Sequence, residues 1–345
     1  MSGDSGKLDT GWEAGKRRVF GRTFVMVVMA SCLAGVFLLG LQSYWLRVAD
    51  RGPATGLSSM TAQVAVRGPA ETAVAAAVER QGQVAPPLEA AVMTQMQGQM
   101  LGLINEARTN AGLAVVGWDD FAAEIGARHS REMAEHGYFS HWNFQGWGPD
   151  HRYSLAGSYH AVMENLHSFS LTYEDGRGAP VQDWSLVIAN GHQGLMESEG
   201  HRANILDPAH THVGIGMAYN PQTGQFRLAQ EFTNQYVQLH SALPREAARG
   251  QVMTLEGQIN GQDIENILLS LAYEAYPEPL WPVDLAQKGA YLSAAESIEV
   301  WRLDREFNMT VTIPAEGEPG MYHVRIFADV RGRQALLMDH VVVVR

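Results

Sequence analysis

Apolar residues follow three different rhythms along this chain, and each rhythm points to a different kind of structure. From Thr23 to Leu46 there is no period at all: 24 consecutive residues carry no charge, which is long enough to cross the bilayer core as a helix. From residue 91 the period becomes helical. Met96, Met100, Leu103, Ile104 and Ala107 recur three or four apart, and Asn110-Ala111-Gly112 stops that run. Trp118-Asp119-Asp120 opens a second helix with Phe121, Ile125 and Met133 on one face, and a third is predicted over about 192–205. The Gly-, Ser- and aromatic-rich stretch between them, 137–185, reads as loop. Residues 213–219 and 226–232 then read as a hairpin around Pro221-Gln222-Thr223-Gly224.

After Tyr236 the period shortens to two. Ile298/Val300, Met309/Val311/Ile313, Tyr322/Val324/Ile326/Ala328 and Val341–Val344 are separated by turn signals at about ten-residue intervals. That spacing predicts an all-β, seven-strand sandwich of immunoglobulin-like type over 250–345, although no Cys…Trp…Cys signature accompanies it.

The N-terminal run is flanked by Lys16, Arg17, Arg18 and Arg22 and closed by Tyr44 and Trp45. These flanks predict an uncleaved single-pass anchor with a cytoplasmic tail over 1–22, a transmembrane helix over 23–46 and everything later outside the cytoplasm. A cleaved signal peptide needs a shorter apolar core and a small-x-small site, and Ala49 lacks the partner. A lipoprotein would use Cys32, but Met29 begins the box poorly; Arg17-Arg18-Val19-Phe20 resembles a twin-arginine signal. Residues 47–90 are Ala-, Gly-, Pro- and Gln-rich and read as a linker with one short helix near 70–80.

Charge and cysteine narrow the function classes. The chain of 345 residues has net charge −12, and its first 46 residues hold five Lys/Arg against three Asp/Glu (+2), so the remainder carries −14. No basic stripe is present, which argues against a nucleic-acid partner. One cysteine excludes an intrachain disulfide.

Ten of the thirteen histidines fall between His129 and His212. Three fragments lie in the same stretch: Tyr138-Phe139-Ser140-His141, Glu164-Asn165-Leu166, and Gly200-His201-Arg202-Ala203-Asn204-Ile205-Leu206. In this order they resemble the CAP superfamily (cysteine-rich secretory proteins, antigen 5, pathogenesis-related 1) in its bacterial form, the SCP domain. The resemblance covers about residues 97–236 and implies an α+β fold, an α-β-α sandwich, for a domain at 91–240. It also implies a cleft in which two histidines and two acids converge. His141, Glu164 and His201 match three of those positions. Ser198 stands where the family has its second acid, beside Glu197, Glu199 and Arg202.

Two readings of the trio stand. His141, Glu164 and His201 could hold a divalent metal such as zinc weakly, with waters completing its shell, or form a hydrogen-bonded polar core. Asn165 and Asn204 read as structural, bonding loop backbone, and His129 as a packed core histidine. Tyr138, Phe139, Trp142, Phe144 and Trp147 read as a contact surface for lipid or protein, or else as filling beneath the loop. His323, Met309, Met338 and His340 are donors of copper type, but methionine in alternating strands usually fills core. No nucleophile elbow, H-E-x-x-H or P-loop is present. The expectation is a binding or scaffold protein rather than an enzyme, single-pass in a bacterial inner membrane with its bulk periplasmic. Its expected partners are membrane lipid through the anchor and other inner-membrane proteins, as an accessory subunit. The alternatives are a metal- or lipid-binding CAP protein acting alone and a hydrolase using the His/Glu cleft.

Overall fold

A computed structural model describes residues 89–345 and the backbone of Val25–Val27. The calls for the tail, the linker helix and Cys32 lie outside the described residues. Of the expected transmembrane helix only Val25–Val27 (β1) is described. It is a strand, antiparallel to residues 170–172, which corrects the helical reading at those three positions. Val-Met-Val favours extended backbone, and the strand it joins otherwise ends its sheet.

The first domain has three layers. Its sheet runs β1-β3-β5-β4-β2, with β2 at Gly117–Trp118, β3 at Ala161–Thr172, β4 at His212–Asn220 and β5 at Gln225–Asn234. Helix α1 (Ala90–Asn110) buries Met96, Met100 and Ile104 on one face of that sheet, against Val213, Ile215, Phe226, Leu228 and Phe232. Helices α4 (Trp184–Glu197) and α5 (Glu199–Ile205) complete that layer through Ile188, Leu195 and Ile205. The predicted single helix over 192–205 is therefore two. Helix α4, capped by Asp183, begins at Trp184, eight residues earlier than expected, and Ser198, at ψ 123°, is too extended to continue a helix.

Helix α2 (Asp120–His136), capped by Asp119 accepting from Ala122 N–H, covers the other face. Gly214 and Gly216 on β4 decide how closely it approaches. A Cβ at Gly214 would stand 2.0 Å from Ala123 N, and one at Gly216 the same distance from Ala127 N. The alternation Val213-Gly214-Ile215-Gly216 thus puts bulk on the α1 face and no side chain on the α2 face.

The loop reading of 137–185 is corrected at two places. Residues Pro149–Ala156 form α3 and Ala161–Thr172 form β3. Both bury polar side chains: α3 throughout, and β3 among the apolar Ala161, Val162, Leu166 and Phe169. Apolar periodicity cannot reveal an element whose inward positions are Glu164, Asn165, Arg152 and His151.

The second domain is a pair of sheets on one core. Strands β10 (Glu296–Arg302), β9 (Ile264–Glu274), β12 (Gly320–Val330), β13 (Arg333–Val344) and β7 (Glu246–Ala247) make one sheet. Strands β11 (Glu306–Thr312), β8 (Val252–Ile259) and β6 (Val237–Leu239) make the other. Leu255, Phe307 and Val311 meet Leu269, Leu271, Val324, Ile326 and Val342 between them. Pairing starts at Val237, inside the span expected for the first domain. Ile298 and Val300, read as inward, are 44% and 51% exposed, because β10 is the outer strand and shows that face to solvent.

The glycine contacts set an expectation. Gly216→Ala should destabilise the chain by about 1–3 kcal/mol through overpacking. Gly98→Ala in α1, where nothing lies within 4 Å, should stabilise it by roughly 0.5–1 kcal/mol. Urea titration of both variants checks the sign of each.

Candidate functional site

Strands β3 and β5 pair so that Glu164 lies directly opposite Glu231. Both carboxyls point to the α2 face, and Glu231 is 1% exposed. Like charges directly opposite are destabilising, so this pair needs a counter-charge or a proton.

Helix α3 supplies the counter-charge. Arg152 donates from one Nη to Glu164 Oε2 at 2.5 Å and from the other to the carbonyls of His141 (2.6 Å) and Trp147 (3.2 Å). Its guanidinium also lies 3.8 Å from Glu231. Burial works against the charge of Arg152, but Glu164 and then Glu231 hold it protonated.

Glu231 receives no hydrogen bond from any N–H or O–H group. Burial, then the Glu164 carboxylate, push its pKa well above the ordinary range. Both effects favour its neutral form; the pKa of Glu164 is also raised by burial, against the opposing pull of Arg152.

His141 arrives from the loop after α2. That loop is pinned by His129, whose Nε2–H donates to the Ser140 carbonyl at 2.8 Å. His129 is fully buried, as expected of a core histidine, and its pKa is lowered by burial first and the Arg152 charge second. The His141 ring sits 2.8 Å from Glu164 through Nδ1. Burial and Arg152 lower its pKa to about 4. At neutral pH it is an uncharged imidazole donating Nδ1–H to a carboxylate, which leaves the Nε2 lone pair as an acceptor. Its side chain is 17% exposed, the member of this group that solvent reaches.

Of the expected trio, His141 and Glu164 are therefore joined. His201 is near but not bonded. Its carbonyl accepts from Asn165 Nδ2 at 3.1 Å, and its ring pKa is lowered to about 4 by burial and then by His141. A cation held by all three side chains does not suit this arrangement. The Glu164 oxygens are taken by His141 and Arg152, the latter a guanidinium where a metal would compete. The triplets of ligand atoms that do gather within 4.8 Å, among the described residues, lie elsewhere.

Asn165 bonds backbone, as expected, through the His201 carbonyl, whereas Asn204, expected to do the same, bonds side chains. Asn204 donates to Asn165 (2.9 Å) and pairs with His210 (2.8 Å), His210 pairs with Asn234 (2.9 Å), and Asn234 donates to the Leu336 carbonyl (2.7 Å) in the second domain. Ser198 is the hinge between α4 and α5. Glu197 accepts from Gln193 and Arg202 donates to the Met196 carbonyl, so both serve helix ends. Glu199 is exposed in the first turn of α5.

Tyr138 is buried and Phe139, Trp142, Phe144 and Trp147 are half-buried, an arrangement closer to filling beneath the loop than to an open contact surface. Tyr138 donates to Glu132 and packs with Phe139, Trp142 and Phe144 around Leu166 and Leu285, and Trp142 stands edge-on to Tyr291. The loop 275–295 of the second domain lies over them, which is the physical reason.

Arg152 and Glu231 were missed in the sequence. Arg152 sits in the loop-like P-D-H-R-Y. Glu231 had a legible signal: in Leu228-Ala229-Gln230-Glu231-Phe232 it falls on the face of Ala229, opposite the apolar one.

Residues 101–236 match the model of the cysteine-rich secretory protein family, CAP, and this part of the chain is a CAP domain. The uncharacterized membrane protein YlbC of Bacillus subtilis is 32% identical over 136 residues, 39% of this chain and 35% of that protein. The uncharacterized protein YkwD of the same organism is 30% identical over 119 residues, 34% of this chain and 40% of that protein. The chain thus spans little more than a third of the length of these relatives. An extracellular SCP-domain protein of Bacillus anthracis is similar at 26% identity and a TM-score of 0.33, covering 44% of this chain and 45% of that one.

Two outcomes follow from the site. Arg152→Ala leaves Glu164 buried without its counter-charge and should cost about 3–5 kcal/mol, read by urea denaturation. His160, His167, His210 and His340 have folded pKa values near 4, each lowered first by burial from 6.5. Between these values these four histidines bind more protons in the unfolded chain than in the folded one, so their contribution to stability is complete above pH 6.5 and drains away towards pH 4. A Tm that stays flat over that window would contradict these burials.

Proposed function

We propose that this chain is an envelope-facing binding and scaffold module that presents a CAP domain fused to an immunoglobulin-like one. The observation that carries this reading is the state of the cleft. Its charged groups are turned on each other: Glu164 is held by His141 and Arg152, and Glu231, without a hydrogen bond, faces the same guanidinium at 3.8 Å. Among the described residues no hydroxyl or thiol bonds the ring of His141 or His201. Nucleophilic catalysis needs a base oriented on a nucleophile, and this cleft offers a base without one.

Two further observations support the reading. A relative is named a membrane protein and a similar solved protein is extracellular. Large apolar side chains are exposed on the second domain, with Trp281 74%, Leu292 72% and Val283 63% exposed. Ile298 and Val300 add two more on edge strand β10, whose outer backbone groups are open to pairing. These surfaces suit an accessory subunit of an inner-membrane assembly.

The test is to isolate the full chain from membranes in mild detergent and look for co-migrating protein. Loss of that protein when residues 91–345 are deleted, and its persistence in His141→Ala, is the expected result. A chain that turns over an ester or peptide substrate, and stops in Ser198→Ala, would overturn the reading in favour of a hydrolase.

A further inference from the structure

Away from the CAP cleft, the two domains meet over a buried ionisable cluster. Asp150 and His151 come from α3, Glu274 from β9, His323 and Arg325 from β12, and Asp339 from β13. All six are less than 9% exposed, and His323 is fully buried. Nε2 of His151 hydrogen-bonds Glu274 Oε1, and Nε2 of His323 lies 3.7 Å from the same oxygen. The three ligand atoms fall within 4.8 Å of one another.

The far sides of the rings are equally specific. His323 Nδ1 meets Asp339 Oδ1 at 2.8 Å, with an Arg325 Nη 3.1 Å away. His151 Nδ1 has Asp150 Oδ1 and the Gly148 N–H, each at 3.2 Å. Behind His323, the Asp339 carboxylate holds the proton on Nδ1 and turns the Nε2 lone pair inward, which is how protein sites orient histidine towards a metal. His151 is held the other way round, Nδ1 accepting from the Gly148 N–H and Nε2 donating to Glu274, so a bound cation would take the place of that Nε2 proton.

Charge and hydrogen bonding both ask for something more. Three carboxylates face one guanidinium, Arg325, which bonds Asp339 at 2.9 Å and lies 3.6 Å from Asp150. Two negative charges remain, in a place where unpaired charge is costly. Two imidazolium rings would balance them, and so would one divalent cation. The rings differ in what they leave behind. His323 Nε2 has no hydrogen-bond partner and no access to water, so an imidazolium there would have only the Glu274 oxygen at 3.7 Å to face, whereas a neutral ring offers a lone pair to a cation.

We propose that His151, Glu274 and His323 form a binding site for a divalent cation of the zinc class at the seam between the two domains. Two imidazoles and one carboxylate are a donor set for borderline metals. The site joins α3 of the CAP domain to two strands of the second domain, so the ion clamps them together. It involves neither His141 nor His201.

An untagged full chain, purified in detergent without chelator, should contain about one zinc-class ion per molecule. Chelation should lower Tm, and zinc should restore it. Cobalt added to the chelated chain should give visible absorption bands of a nitrogen- and oxygen-bound ion. Asp339→Asn, which removes only the carboxylate behind His323, should weaken zinc binding roughly 10–100-fold. Glu274→Gln should lose the metal, and His141→Ala should keep it. Where Glu274→Gln fails to fold, the cobalt spectrum and zinc-dependent Tm of the unaltered chain decide. A chain that holds no metal, and melts alike in chelator, zinc and cobalt, would overturn the proposal in favour of a metal-free ion-pair network. Metal lost in His141→Ala but kept in Glu274→Gln would overturn it as well.

Discussion

The structure turns on one short buried helix, α3, whose consecutive polar side chains each serve a different neighbour. Asp150 and His151 face the second domain. Arg152 holds Glu164 and the loop carrying His141. The Tyr153 hydroxyl donates to Asp119, the residue that caps α2, and Ser154 accepts from Val341 N–H in β13. An eight-residue helix has little stability of its own. Here it needs none, because its partners on both sides hold it in place. A side chain turns about 100° per residue around a helix, so Arg152 can look into the cleft while its neighbour looks into the seam.

The same geometry explains why the cleft is quiet. Arg152 makes the Glu164–Glu231 pairing tolerable, yet it also occupies the position from which a metal or substrate would compete for Glu164. Burial favours the neutral forms of both Glu231 and His141, which lessens the charge the group must hold away from solvent. Glu164, His141 and Arg152 hold one another through directed bonds, and displacing any of them would leave a buried group unpaired. The CAP scaffold is thus organised to hold a shape around one outward lone pair on His141.

Legibility in the sequence followed apolar periodicity. Helices α1 and α2 and the β4–β5 hairpin were readable because each puts large side chains on a single face. The Gly214/Gly216 alternation was readable as a strand, though not as the seat of α2. What escaped had polar groups where apolar ones are expected. Strand β3 carries Glu164, Asn165 and Ser168 at buried or half-buried positions, and α3 is polar on every side. Ile298 and Val300 misled in the opposite direction, being apolar yet exposed on an edge strand. His141, Glu164 and His201 were found by family motif, while Arg152 and Glu231, which set their chemistry, lie outside those fragments.

Seam and cleft are also linked through α3. Separating the domains would expose or orphan Asp150, Glu274, Asp339 and Arg325 together, and would strip Val341 and Leu336 of their bonds to Ser154 and Asn234. Such groups cannot be released one at a time, because each is the other's counter-charge. These bonds tie α3 to both domains at once. Whatever neutralises the seam, ion or protons, also sets how firmly Arg152 is presented to Glu164. A binding protein gains from this arrangement: its surfaces on both domains stay in register, so a partner touching both meets a preorganised face and need not order it on binding.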